Sequence, residues 1–186
     1  MKVLDNDPSG IAVILRAAKF AADAHRDQRR KDRNASPYIN HPLALADILA
    51  NEGGITDPDV IVAALLHDVV EDTDTHITDV HAKFGMAVAS IVAEVTDDTS
   101  LDSAERKRLQ VVKAASKSDQ AKLVKLADKT CNLRDIVSAP PVDWAVERRI
   151  AYFDWAKDVV EGLRGVNPAL ERAFDDIYDA RASLTY

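Results

Sequence analysis

The sequence has a single cysteine, Cys131, and no uninterrupted apolar run long enough to span a bilayer. One cysteine excludes an internal disulfide and suits a reducing compartment. A basic and apolar signal segment is also missing from the N-terminus. These absences predict a cytoplasmic protein that has no membrane partner.

Basic residues are fewer than acidic ones, with 24 lysines and arginines against 31 aspartates and glutamates and a formal net charge of -7. This balance argues against nucleic acid as a partner, because phosphate contacts need clustered basic residues. A small anionic substrate is still compatible with the sequence, since the run HRDQRRKDR at 25–33 contains several cations. Taken alone, such a run is more typical of a solvated helix end.

Strand-like alternation, fixed-period repeats and low-complexity segments are absent from the sequence. Glycine and proline fall between helical segments, as in the pair at 53–54, and Ser9 is the predicted N-cap of a first helix. We therefore predict an all-α helical bundle that forms one domain over 1–186, with a core over about 10–165 and a C-terminal helix over 167–183. That helix packs on its own core or on a second subunit, so a homo-oligomer stays open.

Val60–Leu66 is wholly apolar, and the polar stretch HDVVED follows it directly. A segment that is apolar on all sides is typical of a helix buried inside a domain. His67 and Asp68 then occupy core positions, and a buried ionised carboxylate is costly unless it is paired or bound to a metal. On a continuous helix, the i, i+4 spacing places His67 beside Glu71 and Asp68 beside Asp72.

Two distant residues share this setting. His41 begins an apolar helix, and Asp128 lies among apolar residues in LVKLADKTCNL. One ion held by two imidazoles and two carboxylates would compensate both buried acids, and this donor set suits Mn, Fe, Co, Ni or Zn. Such an ion lowers the pKa of bound water, and nearby acids orient that water or accept its proton. The predicted metal ligands are His41, His67, Asp68 and Asp128, and the predicted catalytic acids are Glu71 and Asp72.

The sequence contains several specific motifs. They are RRKD at 29–32, PYINHP at 37–42, ALLHDVVEDT at 64–73, EVTDD at 94–98, ERKRLQ at 105–110 and KLVKLADKTCNLRDI at 122–136. The order of a histidine, a His-Asp pair and a distant aspartate resembles the HD superfamily of metal-dependent phosphohydrolases, and the combination of motifs resembles the hydrolase domain of the Rel/SpoT family. The likeness covers about 17–163 and is nearest to the stand-alone small alarmone hydrolases of the metazoan SpoT homologue type.

The resemblance implies a specific reaction. Its substrate would be guanosine tetraphosphate or pentaphosphate (ppGpp or pppGpp), and hydrolysis of the 3′-pyrophosphate would give GDP or GTP and pyrophosphate. The family metal is usually Mn²⁺, on the four ligands named above, and Glu71 and Asp72 match the catalytic acidic pair. The implied substrate-binding residues are Arg30, Lys31, Tyr38, Asn132, Arg148 and Tyr152.

Other functions stay open from the sequence. A different HD-type activity, as an NADPH phosphatase or a deoxynucleotidase, would use the same ligands with another pocket shape. A non-catalytic nucleotide sensor would bind without turnover, although it has no need of the acidic pair. A structural role would make His67 and Asp68 a hydrogen-bonded core pair. The loop TSLDS at 99–103 also lacks the lysine that family members often carry, so phosphate contacts from this loop are in question.

Overall fold

The computed structural model describes residues 10–184, and the predicted cap Ser9 lies outside this range. Within the range the chain is helical, without strands apart from one isolated bridge between Arg29 and Pro37. The predicted all-α bundle is confirmed. Its helices are α1 (Ile11–Ala24), α2 (Asn40–Asp47), α3 (Pro58–Leu66), α4 (Val69–Asp72), α5 (Ile77–Phe84), α6 (Met86–Val95), α7 (Ser103–Lys113), α8 (Asp119–Ser138), α9 (Val146–Glu161) and α10 (Pro168–Tyr178).

Helix α3 lies at the centre of the bundle. Its seven residues Val60–Leu66 are all buried, and it packs against α1, α2, α6 and α8. The Asp57 side chain caps the helix by accepting a hydrogen bond from the Asp59 backbone N–H at 3.0 Å, and Pro58 occupies the first turn, where no N–H donor is needed. None of the helices in the described part of the chain is long and apolar enough to cross a membrane.

The continuous helix predicted through the polar stretch is wrong. Helix α3 ends at Leu66, a turn over His67 and Asp68 follows, and the four-residue α4 begins at Val69. Asp68 has φ -102° and ψ -7°, a conformation outside the ideal helix. Because of this turn, the side chains of both His67 and Asp68 reach the same polar cluster, whereas the predicted stripes would have separated them.

Helix α8 carries buried polar residues through the core. The Ser118 side chain caps it by accepting a hydrogen bond from the Ala121 backbone N–H at 3.3 Å. Asp128, Lys129 and Cys131 are all buried on this helix, and burial raises the pKa of the Cys131 thiol to about 12. Cys131 is therefore a neutral core residue.

The C-terminal helix α10 packs on the rest of the same chain. Leu170 and Phe174 are buried, and α10 contacts both α8 and the π-helical turn Ile48–Glu52 that extends α2. The Asn167 side chain caps α10 and also donates a hydrogen bond to the Gly53 carbonyl oxygen at 2.8 Å. A Cβ atom at Gly53 would lie 2.9 Å from the Leu170 side chain, so this close approach requires glycine.

Candidate active site

Four side chains from three parts of the chain converge where α2, α3 and α8 meet. The Nε2 atoms of His41 and His67 lie 3.4 and 4.0 Å from Asp128 Oδ1. Asp68 Oδ2 lies 2.9 Å from His67 Nε2 and 3.9 Å from His41 Nε2. His41, His67 and Asp128 are buried. The structure thus brings together all four residues that the sequence predicts as metal ligands.

The donor atoms of this cluster fit a divalent cation. His67 Nδ1 lies 2.8 Å from the Ala64 carbonyl oxygen, so this nitrogen carries the proton and donates it. Although Asp68 Oδ2 is near, His67 Nε2 is a buried nitrogen without a hydrogen-bond partner among the described residues. Metal-bound histidines commonly donate their other N–H to a backbone carbonyl in this way. Ligand atoms of His41, His67 and Asp128 all lie within 4.8 Å of one another.

The cluster also has the electrostatics of a cation site. Burial lowers the pKa of His67, but the carboxylates of Asp68 and Asp128 outweigh this effect and raise the pKa above its ordinary value. Burial opposes ionisation of Asp68 as well, yet the neighbouring histidines, His67 and His41, lower its pKa below the usual range. Both carboxylates thus favour positive charge between them.

Asp128 is held in place by its own helix. The Lys129 ammonium donates a hydrogen bond to Asp128 Oδ2 at 3.0 Å, and the Asn132 amide, one turn further along α8, donates to Oδ1 at 2.6 Å. Burial would raise the pKa of Asp128, but Lys129, with His41 and His67, holds the pKa well below its ordinary value. Asp128 therefore stays ionised at neutral pH and keeps a fixed orientation.

A cavity of about 590 Å³ adjoins the cluster and has His41 in its wall. This volume is within the usual range for small-molecule sites. Residues of the segment between α1 and α2 form one side, and residues of α8 and α9 form the other. The predicted substrate-binding residues that line this cavity are Arg30, Lys31, Tyr38, Asn132 and Tyr152.

Arg30 is fixed at the cavity wall by two contacts. Its guanidinium pairs with Asp135 of α8 and lies 5.7 Å from the centre of the Tyr38 ring. Burial lowers the pKa of Arg30, but the Asp135 carboxylate outweighs it, so the net pKa shift is upward. Arg148, by contrast, does not line the cavity. Its guanidinium lies 4.3 Å from the centre of the Trp144 ring, and Trp144 is the residue that reaches the cavity.

The two predicted catalytic acids have different neighbours. Glu71 accepts hydrogen bonds from the Asp97 backbone N–H at 3.1 Å and from Arg106 at 3.3 Å. Burial raises the pKa of Glu71, although the Asp97 N–H opposes the shift. Asp72 is exposed and lines the cavity, and its Oδ2 atom lies 3.1 Å from the Tyr38 hydroxyl, which donates its proton to the nearer Asp68 Oδ2 at 2.5 Å. The structure thus brings Asp72, and not Glu71, to the cavity wall.

A family model described as HD domain matches residues 17–152, a range that contains all four residues of the cluster. The chain belongs to the HD-domain family. Among curated HD-domain relatives, it is 54% identical over 170 residues to the guanosine-3′,5′-bis(diphosphate) 3′-pyrophosphohydrolase MESH1 of Xenopus tropicalis, covering 91% of this chain and 95% of the relative. The MESH1 of Homo sapiens is 53% identical over 173 residues, with 93% and 97% covered.

Two solved structures are similar to the chain. A structure titled "A metazoan ortholog of SpoT hydrolyzes ppGpp and plays a role in starvation responses" superposes with a TM-score of 0.89 at 51% identity, covering 95% of this chain and 98% of that one. The crystal structure of lmo0812 from Listeria monocytogenes gives 0.64 at 30% identity, with 80% and 97% covered. The predicted resemblance to Rel/SpoT-type HD hydrolases is therefore confirmed.

Sequence reasoning missed the partners that hold the HD-domain site together. Lys129 pairs with Asp128, Asp135 pairs with Arg30, and Arg106 contacts Glu71. The signal for Lys129 was available, because a second charge next to a buried acid in an apolar helix indicates a compensating partner. Arg106 gave no such signal, since it lies in a charged segment that is typical of a solvated helix face. Asp135 gave none either, because Arg134 next to it already supplies an opposite charge.

Proposed function

We propose that the chain hydrolyses the 3′-pyrophosphate of guanosine tetraphosphate or pentaphosphate in a metal-dependent reaction, giving GDP or GTP and pyrophosphate. The observation that carries this proposal is a buried histidine and aspartate cluster beside a nucleotide-sized cavity that Arg30 and Lys31 line. The similar curated proteins bear the name guanosine-3′,5′-bis(diphosphate) 3′-pyrophosphohydrolase, and the similar solved protein is described as hydrolysing ppGpp. The chain is accordingly an enzyme of this class.

The proposed cofactor is one Mn²⁺ ion, which His41, His67, Asp68 and Asp128 would hold. Support comes from the two imidazoles and two carboxylates, a donor set that also suits other divalent transition metals. When bound, such an ion lowers the pKa of water and polarises a phosphoryl oxygen. Asn132 and Lys129 keep the Asp128 carboxylate oriented toward the two histidines.

We assign the proton-accepting role to Asp72 and an orienting role to Glu71. Asp72 is in the cavity wall, where a substrate phosphate and an attacking water would meet, and its Oδ2 atom accepts a hydrogen bond from the Gln28 amide at 3.3 Å. Glu71 links α4 to the segment after α6 through the Asp97 N–H. General-base catalysis of this kind contributes about 10² to 10⁴ in rate.

The substrate's charges would be matched by basic and aromatic side chains of the cavity. Arg30 presents a fixed guanidinium, and Lys31, which is exposed, supplies a second cation at the cavity edge. Tyr38, Asn132 and Tyr152 supply polar and ring contacts for the nucleoside. We propose that Arg148 acts on this pocket through Trp144.

The test of this function is release of pyrophosphate and GDP from ppGpp. The purified protein is stripped with a chelator and then supplied with Mn²⁺, and both products are measured. We expect release only after Mn²⁺ is added. Binding of ppGpp without release would favour the sensor, and no binding, with turnover of NADPH or a deoxynucleotide, would favour another HD-type activity. Either result would refute the proposal.

The location, the domain organisation and the oligomeric state of the enzyme remain predictions. A cytoplasmic location rests on the single cysteine, Cys131, which suits a reducing compartment. The single-domain organisation over 1–186 rests on the sequence pattern, and its ends at 1–9 and 185–186 lie outside the described residues. A homo-oligomer stays open as well.

A further inference from the structure

His25 is a buried histidine that the site described above does not use. His25 follows α1 directly and is only 2% exposed, although the sequence around it is strongly polar. Its Nδ1 atom lies 2.6 Å from Gln28 Oε1, while its Nε2 atom has no hydrogen-bond partner among residues 10–184. A buried imidazole with one short hydrogen bond in a polar segment requires a reason.

Gln28 connects this histidine to Asp72. The Gln28 Nε2 atom donates a hydrogen bond to Asp72 Oδ2 at 3.3 Å. An ionised carboxylate only accepts hydrogen bonds, so the amide NH₂ group must face Asp72 and the amide oxygen must face His25. It follows that His25 Nδ1 carries the proton and donates it to Gln28. The three side chains therefore form one directed chain of donors that ends at the carboxylate.

Tyr38 lies between His25 and the two carboxylates. Its hydroxyl donates to Asp68 Oδ2 at 2.5 Å and lies 3.1 Å from Asp72 Oδ2, and its ring packs against the His25 ring with a centroid separation of 4.7 Å. Because the hydroxyl proton serves Asp68, Gln28 is the donor that holds Asp72, and it reaches Oδ2 rather than Oδ1. Asp72 is the exposed last residue of the four-residue helix α4, where an unbonded side chain would exchange freely between rotamers.

We infer that His25 and Gln28 are positioning residues that hold Asp72 in one rotamer, with Oδ1 directed at the reacting water. This inference rests on the proposed role of Asp72 in hydrolysis. Gln28 is a neutral donor, so it orients the carboxylate without adding a positive charge. An arginine in its place would pair the carboxylate with a full charge. An oriented and unpaired carboxylate is what proton acceptance requires.

Two substitutions of His25 separate the hydrogen bond from the ring packing. H25F keeps a ring against Tyr38 but loses the donor, whereas H25N keeps a donor near the Nδ1 position and loses the ring. We expect H25F to lower kcat about ten- to a hundredfold, with KM within twofold and metal content unchanged. We expect H25N to keep at least about a third of wild-type kcat. The reverse order, or a change in KM alone, would overturn the inference.

Q28M removes the same chain of hydrogen bonds at Gln28, and it serves as the test if H25F folds poorly. Methionine is close to glutamine in shape and has neither the donor nor the acceptor. Q28M and the double variant H25F/Q28M should lose the same factor in kcat as H25F, since one chain of bonds is broken in each. In the D72N background, H25F should have no further effect on kcat. A further loss of about tenfold there would mean that His25 acts elsewhere.

The tautomer of His25 gives a readout that does not depend on activity. Nitrogen NMR of the protein loaded with diamagnetic Zn²⁺ should show the proton of His25 on Nδ1. A proton on Nε2 would overturn the inference, whatever the substrate is. A wild-type protein that fails to hydrolyse ppGpp but shows the Nδ1 proton would count against the proposed function only.

Discussion

Glu71 and Asp72 are neighbours in the chain, but they belong to two different regions of the molecule. Glu71 faces the segment after α6 and is bonded to the Asp97 N–H and to the Arg106 guanidinium. Asp72 faces the cavity, accepts a hydrogen bond from the neutral amide of Gln28 and lies 3.1 Å from the Tyr38 hydroxyl. Glu71 thus has a charged partner, whereas Asp72 has none among the residues that the structure describes.

This difference supports distinct proposed roles for the two acids. The arginine anchors the Glu71 carboxylate, since charge-assisted hydrogen bonds are stronger than neutral ones. Asp72 lines the cavity, whereas Glu71 does not. The proposed roles follow this geometry, with Asp72 as the proton acceptor and Glu71 as the link between α4 and α7, to which Arg106 belongs.

The largest effect is expected from a substitution that removes the metal, on which the proposed roles of both regions depend. D128N should lose the metal and lower kcat/KM by about a thousandfold or more, because the remaining donors hold a divalent ion weakly. Metal content after dialysis and ppGpp hydrolysis are the measurements. Circular dichroism must show a folded variant at the assay temperature, since the change leaves Lys129 buried beside a neutral group. A variant that retains stoichiometric metal would contradict Asp128 as a ligand.

The next largest effects are expected from substitutions of the two acids, and their sizes should differ. D72N should lower kcat about 10² to 10⁴-fold and E71Q only about tenfold, because the first loses the proton acceptor and the second loses an anchor. Both variants should bind metal as the wild type does. Single-turnover rates with ppGpp check this order. A smaller loss for D72N than for E71Q would reverse the assignment of the two roles.

A smaller effect is expected from the arginine of the Glu71 region. R106M should lower kcat about three- to tenfold, because Glu71 loses its charged partner but keeps the Asp97 N–H. R108M is the matched control, since Arg108 lies on the same helix and pairs with Glu105 away from Glu71. Steady-state rates are the measurement, and equal losses in both variants would mean that the effect does not come from the contact between Arg106 and Glu71.

The smallest effect is expected far from both regions. Glu52 and Arg134 form a bidentate pair with distances of 2.5 and 2.8 Å, and both side chains are over a third exposed. E52Q should lower the free energy of unfolding by under about 1 kcal/mol, since water screens such a pair, and should leave kcat unchanged. A lowered kcat would show that this pair is coupled to the site.

The pH dependence of the same variant follows from the pKa of Glu52. The hydrogen bond from Arg134 lowers this pKa in the folded protein. The contribution of the pair is therefore complete above the ordinary glutamate pKa of about 4.3 and is lost as the pH falls through the lower folded value. Urea unfolding should show a constant difference between wild type and E52Q from about pH 6 to 8, and a shrinking difference below about pH 4.

The cluster could be predicted from the sequence because burial and charge conflict there. Asp128 follows apolar residues on a helix, and Asp68 follows seven buried ones, so each required a partner. The turn over His67 and Asp68 could not be predicted, since no glycine or proline marks it and the apolar pattern continues to its edge. That turn is set by tertiary packing.

The neighbours of the catalytic acids were harder to predict. His25 and Gln28 lie in a polar run, and their buried contacts come from Tyr38 and Asp72, which the chain brings back from 13 and 44 residues away. Polarity in such a run indicates solvent exposure, and only the fold shows that one histidine turns inward. Arg148 shows the opposite error, because a matching motif position does not fix where a side chain reaches.

The two tryptophans have an optical consequence. Trp144 lines the cavity, whereas Trp155 lies against the Lys129 ammonium and donates its indole N–H to the Lys107 carbonyl oxygen. The chain has no other tryptophan. A guanine that enters the cavity would quench the emission of Trp144, and Trp155, whose ring centre lies 5.1 Å from that of the cavity residue Tyr152, would respond with it. The unlabelled protein would thus be its own fluorescent indicator of nucleotide occupancy.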